Sequence, residues 1–221
     1  MEFVCVVASH LSNLTRVKFL EQTLLSALFG LKAERIIVSC SELSPIIPED
    51  GRINVVRHSE KKSQFSHIQS ILHLIRENDM VVFIDDDDMF LPRSREILES
   101  IIKTGMICGE GFSFLSIDSN HEINSYRWEQ IYHVEEIKED KYLFQLDFPG
   151  TFCSGKKLFE YFSPEVRARC WKESEEMDDE YLSGEEDCVF MQYFVNPISK
   201  SNQTFGPWVF HREHSLQRDY C

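Results

Sequence analysis

"MVVFIDDDDMFLP", Met80 to Pro92, sets five apolar residues directly before four consecutive aspartates, Asp85 to Asp88. An apolar run without alternation suits a strand buried on both faces, as in a parallel sheet. Four adjacent carboxylates repel one another. Either they form a solvated turn leading into the helix after Pro92, or a positive charge sits among them. In an open parallel sheet, ligands gather outside the carboxyl ends of the strands, and these aspartates fall at such an end. Side chains alternate along an extended chain, so Asp85 and Asp87 are expected to point one way and Asp86 and Asp88 the other. A pair on one side can share a divalent cation, and ligands that are all oxygen favour Mn²⁺ or Mg²⁺.

Upstream of this stretch, strand-length apolar runs alternate with segments of helical period. "FVCVVA" (Phe3 to Ala8) reads as the first strand. Val17, Leu20, Leu24, Leu25 and Leu28 mark a helix over Thr15 to Phe29, with Thr15 as N-cap. "RIIVSC" and "INVVRH" follow as strands, and Phe65 to Arg76 carries Ile68, Ile71, Leu72 and Ile75 on one stripe. A third helix is expected from about Arg93 to Lys103. Strands separated by helices imply right-handed parallel βαβ units covered on both faces. Beyond Gly105, "MICGEGFSFLSID" and "INSYRWEQIYHV" predict shorter, more antiparallel strands. They are followed by turns around "DFPGTF" and helices over Lys156 to Phe162 and Glu185 to Val195, and "TFGPWVFH" closes as a strand. With no Gly/Ser-rich linker and no internal repeat, the expectation is one α/β domain with a mixed, mainly parallel central sheet flanked by helices.

Composition narrows the function classes. The chain has 221 residues, 43% of them hydrophobic, enough for one large core. No run of about 18 apolar residues offers a transmembrane segment. "MEFVCVVASH" carries an acid where a signal peptide needs bases, and reads as a core strand. Seven scattered cysteines without a CxxC pair fit a reducing, cytoplasmic compartment better than a disulfide framework. The net charge of −14 excludes the basic face that nucleic acid requires.

Other uses of the aspartates compete with a cation site. A calcium loop counted from Asp85 fails, because Met89 and Phe90 stand where a ligand and a glycine are needed. An aspartyl-phosphate hydrolase calls for Thr or Val where Met89 stands. A catalytically silent nucleotide-sugar or cation-binding module stays open.

Several segments, in their order, resemble the GT-A glycosyltransferases, especially family 2-like inverting enzymes with a DxD motif. They are "TRVKFLEQTLLSAL" (Thr15 to Leu28), "SQFSHIQSILHLI" (Ser63 to Ile75), the aspartates, "GEEDCVF" (Gly184 to Phe190) and "FHREHS" (Phe210 to Ser215). The resemblance implies a GT-A, Rossmann-like domain over residues 1–221, with a nucleotide-sugar-binding half over about 1–105 and an acceptor-binding half over about 106–221. It implies transfer from a nucleotide-diphosphate sugar, UDP favoured, to a glycan or other hydroxyl acceptor. Asp87 would be the main Mn²⁺ or Mg²⁺ ligand, with Asp85 at the metal or the donor ribose. An Asp86/Asp88 register is the alternative. His214, or His211, would complete coordination, and Arg212 would touch phosphate. Ser9, His10 and Arg16 fall where base and ribose contacts are implied, and Ser63 and Gln64 are candidates for the nucleobase. Asp187, with Glu186 second, would be the base that deprotonates the acceptor, although acids also suit a helix N-terminus.

Overall fold

The computed structural model describes residues 1–103, 150–166 and 208–210 in full, and the backbone of strand residues 108–109, 112–117, 123–128 and 211–213. The first half follows the expected alternation: β1 (Phe3–Leu11), α1 (Leu14–Ser26), β2 (Arg35–Glu42), β3 (Ile53–His58), α2 (Gln64–Ile71), β4 (Met80–Ile84), β5 (Met89–Phe90) and α3 (Ser94–Lys103). There follow β6 (Cys108–Gly109), β7 (Phe112–Ile117), β8 (Ile123–Trp128), β9 (Phe152–Ser154), α4 (Gly155–Tyr161) and β10 (Val209–Glu213). The helix expected over Glu185 to Val195 lies outside the described residues.

The main sheet has the order β3-β2-β1-β4-β9-β6. β1 to β4 run parallel, and β9 is antiparallel to both β4 and β6. The central strands β1, β2 and β4 are buried on both faces, which is why they read as unbroken apolar runs, while β3 at the edge is only partly buried. Along β1, Phe3, Cys5 and Val7 join Leu20 and Leu24 of α1 and Leu98 of α3 in one cluster. Val4 and Val6 join Phe65, Ile68 and Ile71 of α2 and Leu158 of α4 on the other side. A second sheet, β5-β10-β7-β8, pairs β7 and β8 antiparallel, as expected downstream.

Helix ends differ from the sequence expectation for identifiable reasons. Thr15 is not the N-cap of α1. Asn13, in extended backbone, accepts from the N–H groups of Thr15 and Arg16, both at 3.0 Å, and the helix starts one residue earlier than expected. After Ser26 the chain widens into a π-type turn, Ala27–Leu31, which Lys32 closes in the left-handed region (φ 53°). Gly30 allows this turn to approach β5 closely: a Cβ there would lie 2.8 Å from Leu91 O and 2.9 Å from Phe90 O. The second helix stops at Ile71 and one 3₁₀ turn follows, Leu72–Leu74. Continuation toward Arg76 is blocked because the Asp79 carboxylate captures the Arg76 N–H at 2.6 Å.

The strand order fixes where a ligand can sit. The chain moves outward from β1 to β2 and β3, then returns to place β4 on the other side of β1. The crevice beyond the carboxyl ends of β1 and β4 is therefore the switch point of the sheet.

Candidate functional site

The two segments leaving that crevice carry the aspartates and Ser9. Val7 pairs with Ile84 in register, so Ser9 and Asp86, each two residues on, stand level. Ser9 Oγ donates to Asp86 Oδ2 in a short hydrogen bond, and both residues are almost fully buried. Arg16, in the first turn of α1, spans the next gap. Its Nη2 lies 2.8 Å from Asp86 Oδ1 and its Nη1 2.8 Å from Asp87 Oδ2. A positive charge does sit among the aspartates, and the chain itself supplies it through Arg16.

The expected alternation of the four side chains ends at Asp85. Asp88 N–H donates to Asp85 O at 3.3 Å, so the segment turns where extension was assumed. Asp86 is drawn off toward Ser9 and Arg16, while Asp88 comes round to join Asp85 and Asp87. These three carboxylates each offer an oxygen within 4.8 Å of the others. The converging set therefore holds both members of the Asp85/Asp87 register read from alternation, with Asp88 added to them. Asp87 and Asp88 are buried and Asp85 is half-buried. Three converging carboxylate oxygens, with no nitrogen or sulfur among the described residues, fit a hard divalent cation such as Mg²⁺ or Mn²⁺.

The turn is fastened from several sides. Gln64, at the start of α2, donates to Asp85 Oδ1 at 3.0 Å. Thr23 Oγ1, fully buried on α1, lies 3.0 Å from Asp86 O and 2.7 Å from Asp88 O. Ser26 Oγ accepts from Phe90 N–H at 2.9 Å. Met89 and Phe90 pair with Phe210 and Val209 of β10, so His211 and Arg212 follow directly on the residue opposite Met89. Burial pushes the Asp86 carboxyl up to about 7; Arg16 opposes the rise, and Asp87 and Asp88 add to it.

The structure thus brings Ser9, Arg16, Gln64 and Asp85 to Asp88 together. His10 turns away from the aspartates, its Nδ1 2.9 Å from Ser41 Oγ and its Nε2 3.2 Å from Glu42. Ser63 accepts from Ser66 N–H at 3.3 Å as the N-cap of α2. Asp187, Glu186 and His214 lie outside the described residues, and of Arg212 the backbone alone is described.

Sequence reading missed Thr23, whose signal is a hydroxyl inside the apolar stripe of α1. It also missed a polar network behind the site. There Ser39 Oγ meets His67 Nδ1 at 2.8 Å and His58 Nε2 at 3.0 Å, and His58 Nε2 meets Ser70 Oγ at 3.1 Å. Burial lowers His67 to about 4 and also lowers His58 and His10.

No family model and no curated protein sequence matches the chain. Solved structures do match. The chain is similar to TarS of S. aureus with a TM-score of 0.52 at 12% identity, over 96% of this chain and 37% of that one. It is similar to TarS 1–349 in complex with UDP (TM-score 0.53, 11% identity, 96% and 61% of the two chains). The same fragment in complex with UDP-GlcNAc gives 0.51 at 11% identity, over 96% and 59%. The chain spans between 37% and 61% of the length of these structures. The likeness shows the fold: a mixed α/β, GT-A-like architecture built on a mainly parallel sheet.

Proposed function

We propose that this chain is a glycosyltransferase that moves a sugar from a nucleoside-diphosphate sugar, a UDP-sugar in the first instance, to an acceptor hydroxyl with inversion. The observation that carries this reading is the convergence of Asp85, Asp87 and Asp88 at the switch point of a GT-A-like sheet. The similar structures in complex with UDP and UDP-GlcNAc support the donor class.

A donor of this kind breaks its bond between the anomeric carbon and the diphosphate, so negative charge grows on the leaving oxygens. A divalent cation held by Asp85, Asp87 and Asp88 would offset that charge. Arg16 keeps Asp87 aimed at the cluster and withholds Asp86, and Gln64 orients Asp85. Arg212 is assigned to the phosphates and His214 to the cation, as the resemblance of "FHREHS" implies. Asp187, with Glu186 second, takes the proton of the acceptor hydroxyl. Its oxygen then bonds the anomeric carbon on the face opposite the departing diphosphate, which inverts that centre.

The test is donor turnover. UDP release from a panel of UDP-sugars should depend on added Mn²⁺ and stop with a chelator. Asp187→Asn should lower the rate by about 10²–10⁴-fold while keeping donor affinity, as expected for a lost general base. NMR of the product should show an inverted anomeric centre. Retention would eliminate the single displacement. UDP and Mn²⁺ binding without any release would return the reading to a silent nucleotide-sugar-binding module.

A further inference from the structure

We infer that Thr23 of α1 is a positioning residue of the aspartate turn, setting the cation affinity of carboxylates it does not touch. The inference rests on the cation reading proposed above. Thr23 is fully buried, and its Oγ1 lies 2.7 Å from Asp88 O, 3.0 Å from Asp86 O and 3.1 Å from Phe19 O of its own helix. A hydroxyl has one proton to donate, and all three neighbours are acceptors. The shortest contact, to Asp88 O, takes the largest share. A bond to Phe19 O alone would be the ordinary local habit of a helical threonine. Here the same oxygen also gathers two carbonyls from a turn more than sixty residues away (separations of 63 and 65).

The geometry gives that contact a specific consequence. The carbonyl of Asp86 belongs to the peptide before Asp87, and the carbonyl of Asp88 to the peptide after Asp88. Drawing both toward one oxygen fixes the curvature of the backbone between them, which carries the Asp87 and Asp88 side chains. Ser26, one helical turn on, secures the exit: its Oγ donates to Thr23 O at 2.7 Å and accepts from Phe90 N–H at 2.9 Å. Arg16 holds the outer side of the same turn by its bond to Asp87. Three residues spaced along α1 therefore dictate how closely the carboxylates converge. A valine in place of Thr23 keeps the shape but faces two buried carbonyls with a methyl group, and the turn must open to rehydrate them.

The experiment measures binding of Mn²⁺ alone to the full chain, by electron paramagnetic resonance of the free ion, with the folded fraction fixed by circular dichroism. Thr23→Val is expected to weaken Mn²⁺ binding by about tenfold or more, in the range typical of groups that support metal ligands from behind. Thr23→Ser, which keeps the hydroxyl, should restore the wild-type affinity. A merely structural role would lower the melting temperature of Thr23→Val and leave the affinity of the folded protein unchanged, and that result overturns the inference. Wild-type protein that takes up no Mn²⁺ overturns the cation reading itself, and the inference with it. Should Thr23→Val not fold, Ser26→Ala decides the matter by the same measurement. Weakened binding supports the tether from α1, and unchanged binding overturns it.

Discussion

The main sheet carries buried aspartates at both ends, and the two ends treat them differently. At the amino end of β4, Asp79 is 3% exposed and engages Arg35, while its carboxylate accepts the Arg76 N–H. Glu2 adds bonds to Arg35 and Arg76. Its backbone is tied too, since Asp79 N–H donates to Arg76 O and Gly155 N–H to Asp79 O. At the carboxyl end of β4, Arg16 divides its guanidinium between Asp86 and Asp87, and Asp88 is buried beside them. One end matches opposite charges around a single carboxylate. The other collects like charges in a space where burial penalises them. Matched charge of the first kind is what structure needs, and convergent like charge needs a reason outside folding.

The contrast can be broken most forcefully at the structural end. Asp79→Ala leaves part-buried Arg35 with only Glu2 and the Leu74 carbonyl and frees the Arg76 amide, so stability should fall by about 1–3 kcal/mol. Urea denaturation measures the loss, and Mn²⁺ affinity of the folded protein should not change. A neutral result would erase the distinction between the two ends.

At the functional end the sign should reverse. Asp85→Asn keeps an acceptor for Gln64 and removes one of the converging charges. Metal-free stability should hold or rise by about 1 kcal/mol, a fraction of the roughly 4 kcal/mol that two unit charges 4 Å apart exchange at an effective dielectric near 20. Mn²⁺ affinity should fall at the same time. Thermal denaturation with and without Mn²⁺ reads both effects.

The histidine network behind the site predicts a pH dependence. His67 is lowered from the usual 6.5 to about 4 by burial, so the unfolded chain binds its proton first as pH falls. Its contribution is complete above about pH 6.5 and is lost as pH drops toward 4, with a slope of at most about 1.4 kcal/mol per pH unit. His58 and His10, lowered in the same direction, add to the slope. Urea midpoints between pH 4 and 7 should converge in His67→Gln relative to wild type. The smallest effect belongs to the exposed rim of the structural end. Arg76 is 67% exposed and 3.4 Å from Glu2, so Arg76→Gln should move stability by less than about 1 kcal/mol.

What the sequence disclosed follows from the range of the interactions involved. β1, β2 and β4 were legible because a strand buried on both faces needs an unbroken apolar run, which Met80 to Ile84 supplies locally. The place of the aspartates was legible for the same reason, since a sheet of parallel strands leaves its ligands at one end. Their arrangement was not. Asp86 leaves the cluster because Ser9, 77 residues away, stands level with it across β1. Asp88 joins because a turn replaces the extended chain that alternation assumes. The end of α2 was set by Asp79, whose effect on Arg76 depends on the loop closing between them. Asn13 and Thr15 both suit an N-cap by residue type, and only the backbone of Asn13 (φ −155°, ψ 170°) decides between them.

Calorimetry of UDP binding tests the central claim most directly, with wild type and Asp87→Asn each titrated in Mn²⁺ and in chelator. If the aspartate turn binds a cation together with the donor diphosphate, wild-type affinity should be high in Mn²⁺ and collapse in chelator. Asp87→Asn should bind weakly in both. Equal UDP affinity in all four titrations would contradict the account.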